Sequence, residues 1–466
     1  MKKNIAFVSI FDLTEVFYDI AARLAERGHN IFWITTNEYW TDWLVSQGVL
    51  RTNILELVYD KSDFVDEAEK TLLIQQIVQT EAATDLNINQ VLQMDQFVRY
   101  KNKRDINEYV LLYYRYIKRF LSDKRVSLVF AEPTNTNEMI TYMICRELSI
   151  PFLAPRDMRY PLYRVIFNEG YLQSEVISNC HKGESVSGRE LLDQFLFRRT
   201  TPYYFAKNSQ ARALDPQKIL RSLRNRISRI RYSRRNLTHH DLSERCQYLA
   251  KRVVNGFYLR HLCRYTDLGQ IHGRVGFYPL HVQPESSIDV LGSYFSDQLK
   301  LIKDIRRALP FDVTLVVKEH PNFLGIKGIG FFRQVRRIPN VKLVRHNVSN
   351  FDIYKRSSIV FTVSGTPAYE AGMLGVPAVT FTRMYFDGLS SVRCCTDIAQ
   401  LKPLVFERLN GFKRDYEADC RFMADLVGRS YEGLWTDPRF DPRVLDPTNI
   451  EKLTRAFVKV VENDSD

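Results

Sequence analysis

Ser364-Gly365-Thr366-Pro367, followed by Glu370, is the stretch whose residue types are best suited to hold an anion. The apolar run Ile359 to Val363 before it reads as a buried strand. Gly365 lets the backbone turn tightly. Thr366 suits a helix cap and Pro367 the first helical position. Such a helix start offers free N–H groups and a positive dipole end, which suits a phosphate. Glu370 is expected in the first turn, where its carboxylate could meet a ribose diol, and Gly375-Val376-Pro377 ends the helix and starts the next strand. An ordinary capped crossover helix explains Thr366 and Pro367 equally well. It does not explain a carboxylate behind a Ser-Gly-Thr turn.

Two further polar segments follow apolar runs and so belong at the same sheet edge, where open α/β sheets bind ligands. After Val313 to Lys318 comes Lys318-Glu319-His320-Pro321. His320 can hydrogen-bond a phosphate and Lys318 adds charge; the alternative is a solvated turn. After Val275 to Pro279 come His281, Gln283 and Glu285, candidate ligand contacts or an interdomain turn. A catalytic carboxylate is expected at strand ends in the N-terminal half. Glu132, after the Ser127–Ala131 run, ranks first, with Glu15 and Asp12 after the first strand next. Each could instead be an acid stabilising a helix N-terminus. Arg156 and Arg159 suit an acidic acceptor or a ligand carboxylate, or are surface charges.

The elements that must place these residues read as repeated βα units. Ile5–Ser9, Ile31–Thr35 and Ser127–Ala131 are buried strands of a parallel sheet. Residues 60–122 read as mainly helical. In the second half, strands are expected at Val275–Pro279, Val313–Lys318, Val341–Val344, Ile359–Val363 and Ala378–Phe381. A continuous helix is expected from Asp289 to Leu309, and a last one from Asn449 to Val461. Between the halves, Lys218 to Arg235 carries eight basic residues and no acid, with Ile219, Leu223, Ile227 and Ile230 on one helical face. That pattern fits an interdomain helix or attachment to anionic lipid.

The chain has 466 residues, long enough for two or three domains. Lysine and arginine exceed the acids by 66 − 54 = 12, which favours anionic partners. The seven cysteines include no CxxC spacing, which fits free thiols in a reducing compartment and no structural zinc. No signal segment or spanning run is read, so a cytoplasmic protein is expected, possible contact with the inner face of the membrane included. No P-loop, GxGxxG or HExxH motif is present, and the one Asp-x-Asp lies in the terminal tail, so no metal site is expected.

The set Pro279-Leu-His281-x-Gln283-Pro284-Glu285, Lys318-Glu-His320-Pro321, Ser364-Gly365-Thr366-x-x-x-Glu370-Ala371 and Gly375-x-Pro377 resembles the bacterial capsule polysaccharide biosynthesis family of Kdo-transferase-like GT-B glycosyltransferases, over about residues 270 to 390. The resemblance implies an α/β, GT-B-like fold with two facing Rossmann-like domains and parallel sheets. The expected divisions are an acceptor-side domain at 1–200, a helical, Arg-rich region at 201–268, a nucleotide-sugar domain at 269–448 and a helix and tail at 449–466. It implies a metal-independent glycosyltransferase with no cofactor beyond a nucleotide-sugar co-substrate, first of all a CMP-linked ulosonic acid such as Kdo, and a surface glycan or glycolipid acceptor. His281, Gln283, Glu285, Lys318, His320, Pro321, Ser364, Gly365, Thr366 and Glu370 would then bind the donor. No second glutamate follows Glu370 before Gly375, unlike the common GT-B pattern with UDP- or GDP-sugars. The competing readings are CDP-alcohol phosphotransfer, sugar-nucleotide epimerisation and a basic nucleic-acid-binding protein. The last lacks stacking aromatics among its cations.

Overall fold

The computed structural model describes residues 2–58, 66–95, 98, 101, 103–177, 187–198, 242–321 and 324–463. The basic stretch Lys218–Arg235 lies outside them. The first half forms β1 (Asn4–Val8), β2 (Asn30–Thr35), β3 (Ile54–Glu56), β4 (Leu128–Phe130), β5 (Phe152–Asp157) and β6 (Arg164–Glu169). The second forms β7 (Arg274–Pro279), β8 (Val313–Lys318), β9 (Val341–Val344), β10 (Ser357–Thr362), β11 (Ala378–Thr380) and β12 (Val392–Cys394), and β13 (Tyr431–Glu432) follows. One sheet has the order β13-β6-β5-β4-β1-β2-β3, the other β12-β11-β10-β7-β8-β9.

Both sheets are doubly wound. The chain steps outward from β1 to β3, then returns beside β1 to lay down β4; likewise from β7 to β9, then back beside β7 with β10. The two strand-order reversals open a crevice at the carboxyl ends of β1 and β4 and another at those of β7 and β10. The central pairs are parallel, whereas β5–β6 and β6–β13 are antiparallel. Helices cover both faces, which is why the central strands are continuous apolar runs rather than alternating ones. Phe7 on β1 stacks with Trp33 at 5.4 Å and with Phe130 at 5.3 Å between ring centroids. Each such buried ring contributes roughly 1.5–3 kcal/mol.

Two segments pack with the other lobe from the one their place in the sequence gives them. Helix Gly188–Arg198 lies on helix Tyr416–Gly428 of the second lobe. A Cβ on Gly188 would stand 1.8 Å from the Cys420 carbonyl oxygen, so only glycine permits that approach. In the opposite direction, the chain end returns to the first lobe. There β13 extends the first sheet, and helix Pro447–Asn463 packs on helix Leu13–Glu26. Phe457 is fully buried there, with its ring centroid 4.7 Å from Phe130 and 4.9 Å from Phe167. The helix expected over 289–309 is broken into a turn at Ser286–Asp289 and a helix at Gln298–Ala308. The break falls at Gly292, where a Cβ would meet Val363 Cγ1 at 2.0 Å, and Asp297 caps the second piece by accepting from the Lys300 N–H.

Phe457→Ala should therefore cost about 3–5 kcal/mol in chemical denaturation, the range for an emptied aromatic site. A loss under about 1 kcal/mol would show that the returning helix does not stabilise the first lobe.

Candidate functional site

The loops after β7, β8 and β10 meet because parallel strands end on one edge. They line one pocket with Arg159 of the first lobe: Lys318, His320, Ser364, Thr366 and Glu370 all contribute to its wall. His281 joins two of the loops. Its Nε2 accepts the Val363 N–H at 3.0 Å and lies 2.9 Å from Thr362 Oγ1. With Nε2 an acceptor the ring is neutral. Burial, with Lys327 and His320 nearby, holds its pKa down to about 3. The imidazole thus fixes the turn that starts helix Thr366–Met373.

That helix begins one residue earlier than expected. Gly365 is the N-cap residue, Thr366 the first helical residue and Pro367 the second, and the Gly365 N–H goes to Thr362 Oγ1 at 3.2 Å. Glu370 consequently falls in the second turn, not the first. It is buried and accepts a hydrogen bond from Tyr354 Oη at 2.8 Å. Burial raises its pKa to about 7, against the pull of Tyr354 and Lys318. Burial lowers Lys318 to about 8, against the pull of Glu370, and its ammonium donates to the Val348 carbonyl at 2.8 Å. Ser364 Oγ donates to the Ser287 carbonyl, so it ties the turn to the β7 loop.

Gln283 does not face the pocket. Its Nε2 donates to Asp289 Oδ1 and the Ser296 carbonyl, both at 2.9 Å, and its Oε1 accepts from Gln298 Nε2 at 2.8 Å. All of its polar atoms are used in bracing the loop. Glu285, His281, His320 and Pro321 do line the pocket, and so does Glu319. Glu319 Oε1 accepts the His320 N–H at 2.8 Å and lies 3.8 Å from Lys327 Nζ, while Oε2 is buried with no hydrogen-bond partner. His320 is held down to about 4 by burial, Lys318 and Lys327, so at neutral pH it acts as a hydrogen-bonding group and not a cation. Lys327 donates to the His281 carbonyl, which joins the β8 loop to the β7 loop. Sequence reading missed it: the glycines around it form no phosphate-binding fingerprint.

From the first lobe only Arg159 and Gln173 line the pocket itself; Glu132, Asp12, Glu15 and Arg156 do not, and a cluster of charges around Glu132 lies behind Arg159. Glu132 follows β4, and desolvation raises its pKa against the pull of Arg156; Arg159 and Arg439 also pull it down. Arg439 comes from the returning chain end. It pairs with Asp437 at 2.6 Å, lies 3.9 Å from Asp12 and sits over the Phe11 ring at 4.9 Å. Asp12 and Glu132 thus share one arginine; Glu15 stands at the third position of helix Leu13–Glu26, half-buried. Arg439 and Asp437 carried no sequence signal, since only the tertiary return of the chain brings them here. Arg156 donates to the Tyr171 carbonyl at 3.2 Å, and burial lowers its pKa to about 10.

Arg159 bridges the two walls, and it feels both Glu132 and Glu285. Its backbone has φ +70°, a conformation that costs an ordinary residue about 1–3 kcal/mol. The second lobe holds it on both sides. Tyr385 Oη donates to the Met158 carbonyl at 2.7 Å and Tyr369 Oη to the Tyr160 carbonyl at 2.8 Å. Among the described residues, no group of three or more His, Cys, Asp and Glu side chains is placed to hold a metal ion.

No protein-family model matches the chain, and no curated protein matches it. Solved structures similar to it include a beta Kdo 2,7 transferase, KpsC, from Thermosulfurimonas dismutans, at 12% identity over 75% of this chain and 90% of that one, with a TM-score of 0.33. The UDP-GlcNAc 2-epimerase of Methanocaldococcus jannaschii is similar at 11% identity over 98% and 99%, with a TM-score of 0.27. CalG4, the calicheamicin glycosyltransferase, is similar at 13% identity over 92% and 95%, with a TM-score of 0.28. At such distances the functional reading rests on this chain's own residues.

The buried Glu370 carries a pH signature. Its folded pKa, about 7, lies above its ordinary value of 4.5, so its favourable contribution is complete below 4.5 and lost as pH rises through 7. Between pH 5 and 8 the wild type should lose more Tm than Glu370→Gln, which keeps an acceptor for Tyr354 but no charge. Equal losses in both would contradict a desolvated Glu370.

Proposed function

We propose that the protein is a metal-independent glycosyltransferase that binds a nucleotide sugar in the cleft and moves the sugar onto a bacterial surface glycan or glycolipid. A CMP-linked ulosonic acid such as Kdo is the donor this reading favours, and use of a nucleotide sugar goes with a cytoplasmic protein. The observation that carries it is the convergence of two sets of groups. The β8 and β10 loops and the start of helix Thr366–Met373 line one wall, and Arg159, beside Glu132, lines the other.

The charge balance supports a donor with one phosphate. Glu285, Glu319 and Glu370 share the pocket wall with Lys318, and Lys327 stands behind it. With Arg159, which lines the same pocket, three carboxyl groups face three cations, a balance that accommodates one phosphodiester charge better than the charges of a pyrophosphate. Carboxylates also accept from ribose and sugar hydroxyls.

In the reaction, the Glu132 carboxylate takes the proton from an acceptor hydroxyl. The freed oxygen bonds to the anomeric carbon as the bond from that carbon to the phosphate oxygen breaks. The nucleotide phosphate leaves with the electron pair and is stabilised by the positive dipole end of helix Thr366–Met373, by Lys318 and by a hydrogen bond from His320. Arg159 pairs with the carboxylate of the ulosonic acid or of an acidic acceptor. The raised pKa of Glu132 makes it a stronger base than an exposed carboxylate.

With CMP-Kdo and a glycan acceptor, the wild type should release CMP. Glu132→Gln should lower kcat about 100-fold or more with donor affinity kept. His320→Ala and Ser364→Ala should weaken donor binding by about tenfold. A fully active Glu132→Gln would exclude it as the base, and unaltered donor binding in both other variants would sink the site.

A further inference from the structure

The second lobe carries a helix with an uncovered apolar side. Helix Leu242–Phe257 runs into a wider turn at Tyr258–Leu262. One side of it is docked: Tyr258, Leu259 and Cys263 lie in the second-lobe core, and Asn255 Nδ2 donates to the Gly325 carbonyl at 3.0 Å. The approach is close, since a Cβ on Gly325 would stand 2.3 Å from the Arg252 carbonyl oxygen. The other side faces away. Leu249, Val253 and Phe257 recur one turn apart, with Val254 and Leu262 beside them, and all five are more than half exposed. A contiguous apolar stripe of this kind marks an interaction surface, unlike a solitary exposed residue.

The charges along this segment indicate what covers it. From Leu242 to Leu262 the sequence has Arg245, Lys251, Arg252 and Arg260 against a single acid, Glu244. Lys251 and Arg260 are exposed, and Arg333, from helix Ile329–Arg337, stands over the Tyr258 ring at 5.9 Å. Apolar side chains flanked by cations complement an anionic bilayer, with the first entering the acyl boundary and the second meeting lipid phosphates. A protein partner would need a matching acidic rim around an apolar patch; the lipid surface supplies both features at once. No helix among the described residues is long and apolar enough to cross a membrane, so this contact would lie on the surface.

We propose that Leu242–Leu262 docks the protein on an anionic lipid bilayer, with Leu249, Val253, Val254 and Phe257 inserted and Lys251 and Arg260 at the headgroups. The helix rests on Gly325, two residues before Lys327, so its lipid-facing side is the one turned away from the loop that braces the pocket. Lipid binding is measured without any donor, which makes this proposal independent of the sugar-transfer reading.

The test is co-sedimentation of the full chain with vesicles of phosphatidylcholine alone or with phosphatidylglycerol added. The protein should pellet with the anionic vesicles, and less so as salt is raised. Leu249→Glu with Val253→Glu should lower partitioning by about tenfold or more, since each buried aliphatic side chain is worth roughly that factor. Phe311→Glu, at an isolated exposed phenylalanine, should leave it unchanged. If the double glutamate variant does not fold, the milder Leu249→Ser with Val253→Ser carries the comparison. Absence of pelleting with anionic vesicles, or equal pelleting by the folded variant, would overturn the proposal. So would a wild-type dimer that the variant turns into a monomer, which would assign this face to a second copy of the chain.

Discussion

Parallel strand pairing is the constraint on which the cleft depends. It sends the carboxyl ends of β7, β8 and β10 to one edge, and every polar group of the second-lobe wall descends from that edge. The loops are then fastened to each other rather than to solvent. The neutral His281 ring joins the β7 loop to the β10 turn, the Ser364 hydroxyl repeats that link, and Lys327 adds the β8 loop. Their backbone geometry is therefore set before any ligand arrives, which is what a site needs if binding is not to be spent on ordering it.

The opposite wall is assembled from distant parts of the chain. The β5–β6 hairpin delivers Arg159 to the wall, and behind it stand Arg156, Glu132 from the β4 end, and Asp437 and Arg439 from the returning chain end. Two tyrosine hydroxyls of the second lobe hold the hairpin carbonyls on either side of Arg159. An arginine in a left-handed backbone conformation, clamped by the facing lobe, couples the position of the charge to the relation between the lobes. A shift of one lobe would move the Arg159 head relative to Glu285 and Glu132 together.

The doubly wound strands were legible because burial on both faces leaves continuous apolar runs; the bounds of β8 and β9 coincide with the expected ones. β6 holds the apolar run Val165–Phe167, which alone does not say that it folds back antiparallel on β5, and the two-residue β13 leaves no run, so the hairpin and the chain return could not be read. Of the pocket, Lys318, His320, Ser364 and Thr366 were legible from strand-end polarity. Gln283 has the same polarity and a different fate, because Asp289, Ser296 and Gln298 use all its hydrogen bonds. Glu370 shifted by one position, into the second turn, because Thr362 beneath the turn takes the Gly365 N–H, leaving Gly365 as the cap. Lys327 and Arg439 become functional candidates only through contacts separated widely in sequence, which local pattern does not encode.

A calorimetric titration of the full chain with CMP, CDP, UDP, GDP and a short nucleic acid tests the central claim most directly. The account predicts saturable one-to-one binding of CMP, stronger than that of the diphosphates and lost on mutation of Lys318, because the pocket's carboxyl groups oppose a second phosphate charge. Preferred binding of UDP or GDP would overturn the CMP-linked donor, and binding of nucleic acid with no response to any nucleotide would contradict the transferase account.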